Sequence, residues 1–237
     1  MEKHFKINRM FRKYFFIVLA VVLLFTCKES EKVALNIPFS SKEIKVDGVI
    51  ESKEWKHGTL VNKLIAPWDD SCSNTTEFYA FVSNNYFNFG FNVPDDRVIT
   101  IPFKEELDVA SEDRVEMFFS KDKSIEKYYC IEIDPTGNIL DYSVRFYRDF
   151  DESWGFSETS IKAKITDSGY VVEGRILLKE LQNIGIVDQF YFGIFRADFK
   201  SHREDDVCWH SWIKPNSLDP DFHIPSAFAL TSIAKKQ

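Results

Sequence analysis

The 237-residue chain lacks the signatures on which several common chemistries depend. It carries no G-x-S-x-G nucleophile elbow, no H-E-x-x-H zinc motif, no phosphate-binding glycine loop and no C-x-x-C pair. Its four cysteines, Cys27, Cys72, Cys130 and Cys208, stand at no metal-ligand spacing. Positive charge is scarce as well: 30 Lys and Arg face 37 Asp and Glu, a net charge of −7. Such a surface does not attract phosphate backbones, which argues against nucleic acid as a partner. There is no internal repeat and no low-complexity segment. The apolar run Phe15 to Thr26 has 12 residues, well short of the roughly 20 that a membrane-spanning helix needs.

What that run does resemble is the h-region of a signal peptide spanning residues 1–26, with Lys3, Lys6, Arg9, Arg12 and Lys13 as its positive n-region. Cys27 follows at the position where a bacterial lipoprotein signal places the cysteine that is acylated after cleavage, and Leu24 stands three residues before it. An uncleaved anchor, or an ordinary signal with an unrelated cysteine, is the alternative. The expected product is an exported lipoprotein attached to an envelope membrane through Cys27, on its periplasmic or cell-surface side. Removing residues 1–26 would take away five positive side chains and one negative, leaving 25 against 36 and a net charge of −11. Residues 27–37 read as a polar tether and 38–235 as one domain. Of the three remaining cysteines at least one must be a free thiol even if a pair forms in an oxidising compartment. Cys130, inside an apolar strand pattern, is the expected core residue.

The domain is rich in strand signals separated by turn chemistry. Phe78–Val82 and Tyr86–Val93 flank Asn84-Asn85 as a hairpin, with Phe87, Phe89 and Phe91 on one face. Tyr128–Ile133 and Ile139–Tyr147 flank Asp134-Pro135-Thr136-Gly137; Ile161–Ile165 and Tyr170–Leu177 flank Asp167-Ser168-Gly169; Phe190–Phe195 reads as a last central strand. Leu178–Ile184 is the one plausible helical turn. Residues 94–110 and 198–221 read as long connections, which in a compact domain usually carry function or disorder.

Four segments stand in order along this frame: IKVDGVIESKEW (44–55), SEDRVEMFF (111–119), GYVVEGRILLKEL (169–181) and FHIPSAFALTSI (222–233). Their order and spacing resemble the family 9 carbohydrate-binding modules of the DOMON-like superfamily, over about residues 38–233. The resemblance implies an all-β fold, a single antiparallel β-sandwich with long loops and at most one short helix. It also implies non-catalytic binding of an oligo- or polysaccharide, in support of plant-type or other polysaccharide use.

Sugar recognition needs aromatic faces against the C–H surface of a ring and polar groups against its hydroxyls, because a polyol buried without hydrogen bonds loses too much solvation. Trp55, in the opening motif, reads as core, whereas Trp68, Trp154, Trp209 and Trp212 have polar or turn neighbours. Some members of the resembled family hold a terminal sugar between two tryptophans, and those positions fall here near Ala110 and at Phe222. The aromatic candidates are therefore Trp154, Trp209, Trp212 and Phe222. Glu116 matches a family position that accepts from sugar hydroxyls; its other reading is a solvent-facing strand residue. Arg196 and Asp198 lie on one strand face, where the guanidinium could donate to adjacent hydroxyls or form an internal salt bridge. His223 reads as a structural hydrogen-bonder.

The catalytic set is empty: Asp69-Asp70, Asp95-Asp96 and Glu204-Asp205-Asp206 read as solvated runs, and adjacency alone does not make a glycosidase acid pair. No cofactor is required, although the resemblance admits a structural Ca²⁺ and the acidic loops are hard-oxygen donors. Two further alternatives are a component associated with glycoside hydrolases and a haem-binding module, the latter with Met117, His57, His202, His210 and His223 as possible axial ligands. A third is an envelope structural protein that keeps the fold without a ligand.

Overall fold

A computed structural model of the chain describes residues 31–72 and 75–234. The signal segment and Cys27 lie outside the described residues.

Among the described residues thirteen strands are joined by turns and longer loops: β1 (Leu35–Ile37), β2 (Thr59–Val61), β3 (Glu77–Ser83), β4 (Tyr86–Pro94), β5 (Arg114–Ser120), β6 (Lys127–Ile133), β7 (Ile139–Arg145), β8 (Asp149–Asp151), β9 (Thr159–Thr166), β10 (Gly169–Leu177), β11 (Gln189–Phe199), β12 (Val207–Ser211) and β13 (Ala229–Ile233). They form two sheets. The larger has eight strands in the order β1-β13-β11-β5-β6-β7-β8, with β12 also paired to β11; the smaller runs β2-β3-β4-β10-β9. All pairings are antiparallel except β1 with β13, which is parallel. The fold is thus an all-β sandwich, as the strand pattern implies.

Three of the expected hairpins form where turn chemistry places them. Ser83 pairs with Tyr86 around Asn84-Asn85, with Asn84 at φ 40°. Asp134 closes the β6–β7 turn by accepting from the backbone N–H of Thr136 and Asn138. Gly169, at φ 138°, pairs with Thr166, and the Cβ of any other residue would run into the Val93 carbonyl. The core between the sheets is built by period-two alternation. Phe87, Phe89 and Phe91 of β4 meet Met117 and Phe119 of β5 and Phe192 and Ile194 of β11.

Three sequence expectations change. The tether read over 27–37 ends earlier, because Leu35 and Ile37 are buried in β1 and pair with Thr231 and Ile233. The expected helix forms at Leu178–Asn183 (α2), but a second single-turn helix precedes it at Ser52–Trp55 (α1). The 198–221 connection contains β12, whose Cys208 and His210 are buried. Its sequence VCWHS hides a strand because the inward positions include a histidine paired through Nε2 with Asp198 rather than a second hydrophobe.

Two of the motifs turn out to be structural clamps. Glu173 of GYVVE accepts through Oε2 from the backbone N–H groups of Asp47, Gly48 and Val49 at 3.0–3.2 Å, and through Oε1 from the indole of Trp55. Asp113 of SEDRVE accepts from the N–H of Ile99 and of Phe199, at 2.7 and 2.6 Å. At the rim of the smaller sheet, the turns carrying Gly48 (φ 79°) and Gly137 (φ 93°) both abut the backbone of Ala163 in the edge strand β9. Cys72 and Cys208 form a disulfide, and Cys130 is a free, buried thiol.

Candidate functional site

The larger sheet has a second buried face, away from the smaller sheet. Phe118, Tyr128, Cys130, Tyr142, Val144 and Phe195 point outward there, covered by Phe222, Ala227 and Phe228 of the closing segment. At one end of this cluster the outward residues become charged. Arg114 and Glu116 lie two apart on β5, and Glu132 of β6 stands directly opposite Glu116. Arg114 Nε lies 3.0 Å from Glu116 Oε1 and 2.5 Å from Glu132 Oε2, with all three side chains almost fully buried. The Tyr142 hydroxyl donates to the other oxygen of Glu132 at 2.5 Å, and one Arg114 Nη donates to the Ala110 carbonyl at 3.0 Å.

These charges floor a cavity of about 220 Å³ walled by Trp209, Arg148, Pro220, Asp221, Phe222 and His223. It is smaller than the roughly 300–1,000 Å³ of pockets for drug-sized ligands, so it suits one ring. The Arg114 guanidinium sits 5.5 Å from the centre of the Trp209 ring. At the mouth, Arg148 Nη2 donates to Asp221 Oδ1 at 2.9 Å, and the Tyr147 hydroxyl donates to Asp221 Oδ2 at 2.7 Å. His223 pairs through Nδ1 with the Tyr128 hydroxyl at 2.9 Å.

Two carboxylates sharing one buried guanidinium leave the floor short of positive charge. Burial, and then the facing Glu132, push the Glu116 carboxyl up to about 8. Burial works against the Arg114 cation too, yet Glu132 and Glu116 outweigh it and hold the charge. Burial, aided by Arg148, pushes His223 down to about 3, so its imidazole is neutral. Burial opposes the Asp221 charge, but the Tyr147 hydroxyl, the His223 N–H and Arg148 keep its carboxyl below the ordinary value. The pocket therefore offers the Glu132 and Asp221 carboxylates as acceptors, a protonated Glu116 carboxyl, guanidinium donors already committed to partners, and one indole face.

The structure gathers only some of the sequence candidates here. Trp209 and Glu116 line the pocket together. Phe222 also borders it, but only 5% of its surface is exposed and its ring lies stacked on Phe195 at 4.1 Å, so it supports the wall rather than offering a platform. Arg196 and Asp198 point to the opposite face of the sheet. Arg196 pairs there with Asp95 at 2.6 Å and Asp198 at 3.3 Å, the salt-bridge reading of the pair. The alternation of β11 decides this: Arg196 shares a face with Ile194, whereas Phe195 shares one with the pocket. Trp154 packs against Tyr129 and Phe156, and Trp212 against the inter-sheet core; neither lines the pocket. Trp55 is core, with 2% exposed.

Asp95, Asp113 and Asp198 bring carboxylate oxygens within 4.8 Å of one another. Asp95 and Asp198 pair with the Arg196 guanidinium, Lys200 reaches Asp198 at 2.6 Å, and Asp113 is taken up by the backbone N–H groups of Ile99 and Phe199. Protein donors already occupy all three carboxylates, so the set does not fit a calcium ion. Of the possible haem ligands, Met117 is inside the inter-sheet core and His210 is buried against Asp198, on a different face from His223.

Sequence reasoning missed Arg114, Glu132, Arg148 and Asp221. Arg114 lies inside a quoted motif, and pairing β5 with β6 around their turn would have set Glu132 across from Glu116. Arg148 and Asp221 have no local signal, since only tertiary packing joins them. A larger groove of about 630 Å³ lies over the smaller sheet, between Val49, Leu60, Tyr79, Asn92 and Lys164. The buried acid beneath it, Glu173, is fully occupied by its four N–H donors.

No protein-family description matches the sequence, and no characterised protein matches it at the sequence level. Solved structures do match the fold. A candidate carbohydrate-binding protein from Bacteroides uniformis superposes with a TM-score of 0.67 at 14% identity, covering 84% of this chain and 98% of its own. Two structures of a family 9 carbohydrate-binding module from Caldicellulosiruptor kristjanssonii, one with glucose and one with cellotriose, give TM-scores of 0.58 and 0.59. Their identities are 15% and 12%; they cover 85% and 86% of this chain, and 97% and 94% of their own. The chain has the β-sandwich fold of these modules.

Proposed function

We propose that this domain binds carbohydrate without transforming it, one sugar ring occupying the pocket between Trp209 and the Arg114–Glu116–Glu132 floor. The observation that carries the reading is the floor itself: a buried guanidinium held between two acid side chains beside an indole, in a cavity of ring size. Acid side chains fixed by a guanidinium exchange hydrogen bonds with sugar hydroxyls without reorganising, and the indole supplies the apolar contact. Similarity of fold to modules solved with glucose and cellotriose supports the same reading. Both floor acids pin a single guanidinium from one wall, which is no arrangement for attacking a glycosidic bond from two sides. We further propose export and attachment to an envelope membrane through an acylated Cys27, supported by the basic and apolar segments before it, and a role in the use of plant-type or other polysaccharides.

A glycan array with the soluble domain, followed by calorimetry, tests the site. Trp209→Ala and Glu116→Gln should each weaken the best ligand by on the order of 2 kcal/mol, about thirtyfold. Unchanged affinity in both variants would remove this pocket from consideration. Reducing-sugar release by the domain, abolished by one acid-to-amide change, would make it an enzyme instead. Cys27→Ser should release the protein from membranes, and an unmodified Cys27 in the mature chain would end the lipoprotein reading.

A further inference from the structure

Three aromatic side chains within five residues are exposed: Phe146 and Tyr147, 48% and 51% exposed on the turn joining β7 to β8, and Phe150, 43% exposed in β8. Scattered surface hydrophobes need no explanation, but three exposed aromatics beside one pocket do. This turn is fastened to the pocket mouth. Tyr147 and Arg148 both bond Asp221, Arg148 Nε donates to the Tyr147 hydroxyl at 3.0 Å, and the guanidinium lies 5.4 Å from the Tyr147 ring. Phe150, opposite Val144 in the β7–β8 ladder, meets the ring of the wall residue His223 edge-on at 5.4 Å and that of Tyr142 at 5.5 Å. Phe146 contacts Tyr147 at 5.4 Å. A wet aromatic strip therefore begins where the pocket wall ends.

We infer that this turn is a second sugar subsite, the strip Phe146–Phe150 stacking the ring that follows the one in the pocket, so that the ligand is an oligosaccharide rather than a lone monosaccharide. The inference rests on the pocket reading above. The pocket's size admits one ring, and a chain leaving its mouth passes the turn. Tyr147 is held by its hydroxyl, so its ring loses little freedom on stacking. Phe146 and Phe150 have no polar group and would contribute only their faces, as stacking on a sugar's C–H surface requires.

The test uses gluco-, xylo-, manno- and galacto-oligosaccharides of one to four units on an array, then calorimetric titration with the best series. Wild-type affinity should rise about tenfold from one unit to two. In a Phe146→Leu, Phe150→Leu variant, which keeps apolar bulk and removes the aromatic faces, that rise should vanish while monosaccharide affinity stays. Phe150→Tyr alone should retain the rise. Wild-type affinity independent of length, or a rise that survives the double Leu change, overturns the second subsite; if Trp209→Ala still abolishes monosaccharide binding, the pocket stands. Binding of no member of the panel overturns both. Should the Leu variant lower the melting temperature, the wild-type length dependence and the Phe150→Tyr result decide.

Discussion

The indole N–H of Trp55 donates to Oε1 of Glu173 at 2.9 Å, joining residues 118 positions apart in the chain. The same carboxylate holds the backbone of Asp47, Gly48 and Val49, so two sequence motifs that look independent are the two halves of one clamp. Gly90 stands across the ladder from Glu173, and a Cβ there would press within 3.1 Å of the Trp55 ring. The clamp needs all three residue types.

Glu173→Ala should therefore destabilise the domain by about 3 kcal/mol, because it strands buried N–H groups as well as the indole donor. Urea denaturation checks this. A loss under about 0.5 kcal/mol would mean that water replaces the carboxylate without difficulty.

The floor acid Glu116 makes stability depend on pH. The folded domain holds its proton to about 8, whereas an ordinary glutamate releases it near 4.5. Between those values the folded state binds more protons than the unfolded chain, so this contribution falls as pH rises, being full below 4.5 and lost by about pH 8. Glu116→Gln should flatten that part of the profile, measured as melting temperature against pH. An unchanged slope would place the titration elsewhere.

Charge should also govern which sugars enter. The Glu132 and Asp221 carboxylates line the pocket beside the protonated Glu116, and both guanidinia are already paired with these acids. A uronic acid should bind at least about tenfold more weakly than its neutral counterpart, since its carboxylate would lie against those of Glu132 and Asp221 with no uncommitted cation. Equal titration curves for the two would refute this.

The Cys72–Cys208 disulfide spans 136 residues and ties the segment after Trp68 to the strand bearing Trp209. Replacing both cysteines by serine should cost about 2–4 kcal/mol, chiefly by freeing the unfolded chain. Thermal denaturation of the double variant measures it. Thiol labelling of native wild type should detect no reactive cysteine among the described residues, Cys130 being buried.

Much of the sandwich is legible in the sequence because it follows local rules. Asn84-Asn85 and Asp167-Ser168-Gly169 specify turns by themselves, and the three β4 phenylalanines specify a buried face by period two. The site is less legible because it depends on register and on which face of the larger sheet a residue reaches. Arg196 and Glu116 look equivalent as charged residues in apolar strands, yet pairing sets them on opposite faces. Trp209 resembles a loop residue until His210 is seen to be buried beside Asp198. Arg148 and Asp221 meet only when the closing segment folds over the β7–β8 turn.

The turns of Gly48 and Gly137 have a meaning for the behaviour of many copies in solution. β9 is an eight-residue edge, the sort of strand that invites a neighbouring molecule to extend the sheet, and two turns sit against its midpoint at Ala163. Lys162 and Lys164 flank that residue and are exposed, so a strand docking there would have to displace both turns beside two ammonium groups. A bulkier residue at position 137, unable to hold φ 93°, would lift one of those turns away. Its first symptom would be aggregation on storage, before any loss of sugar affinity.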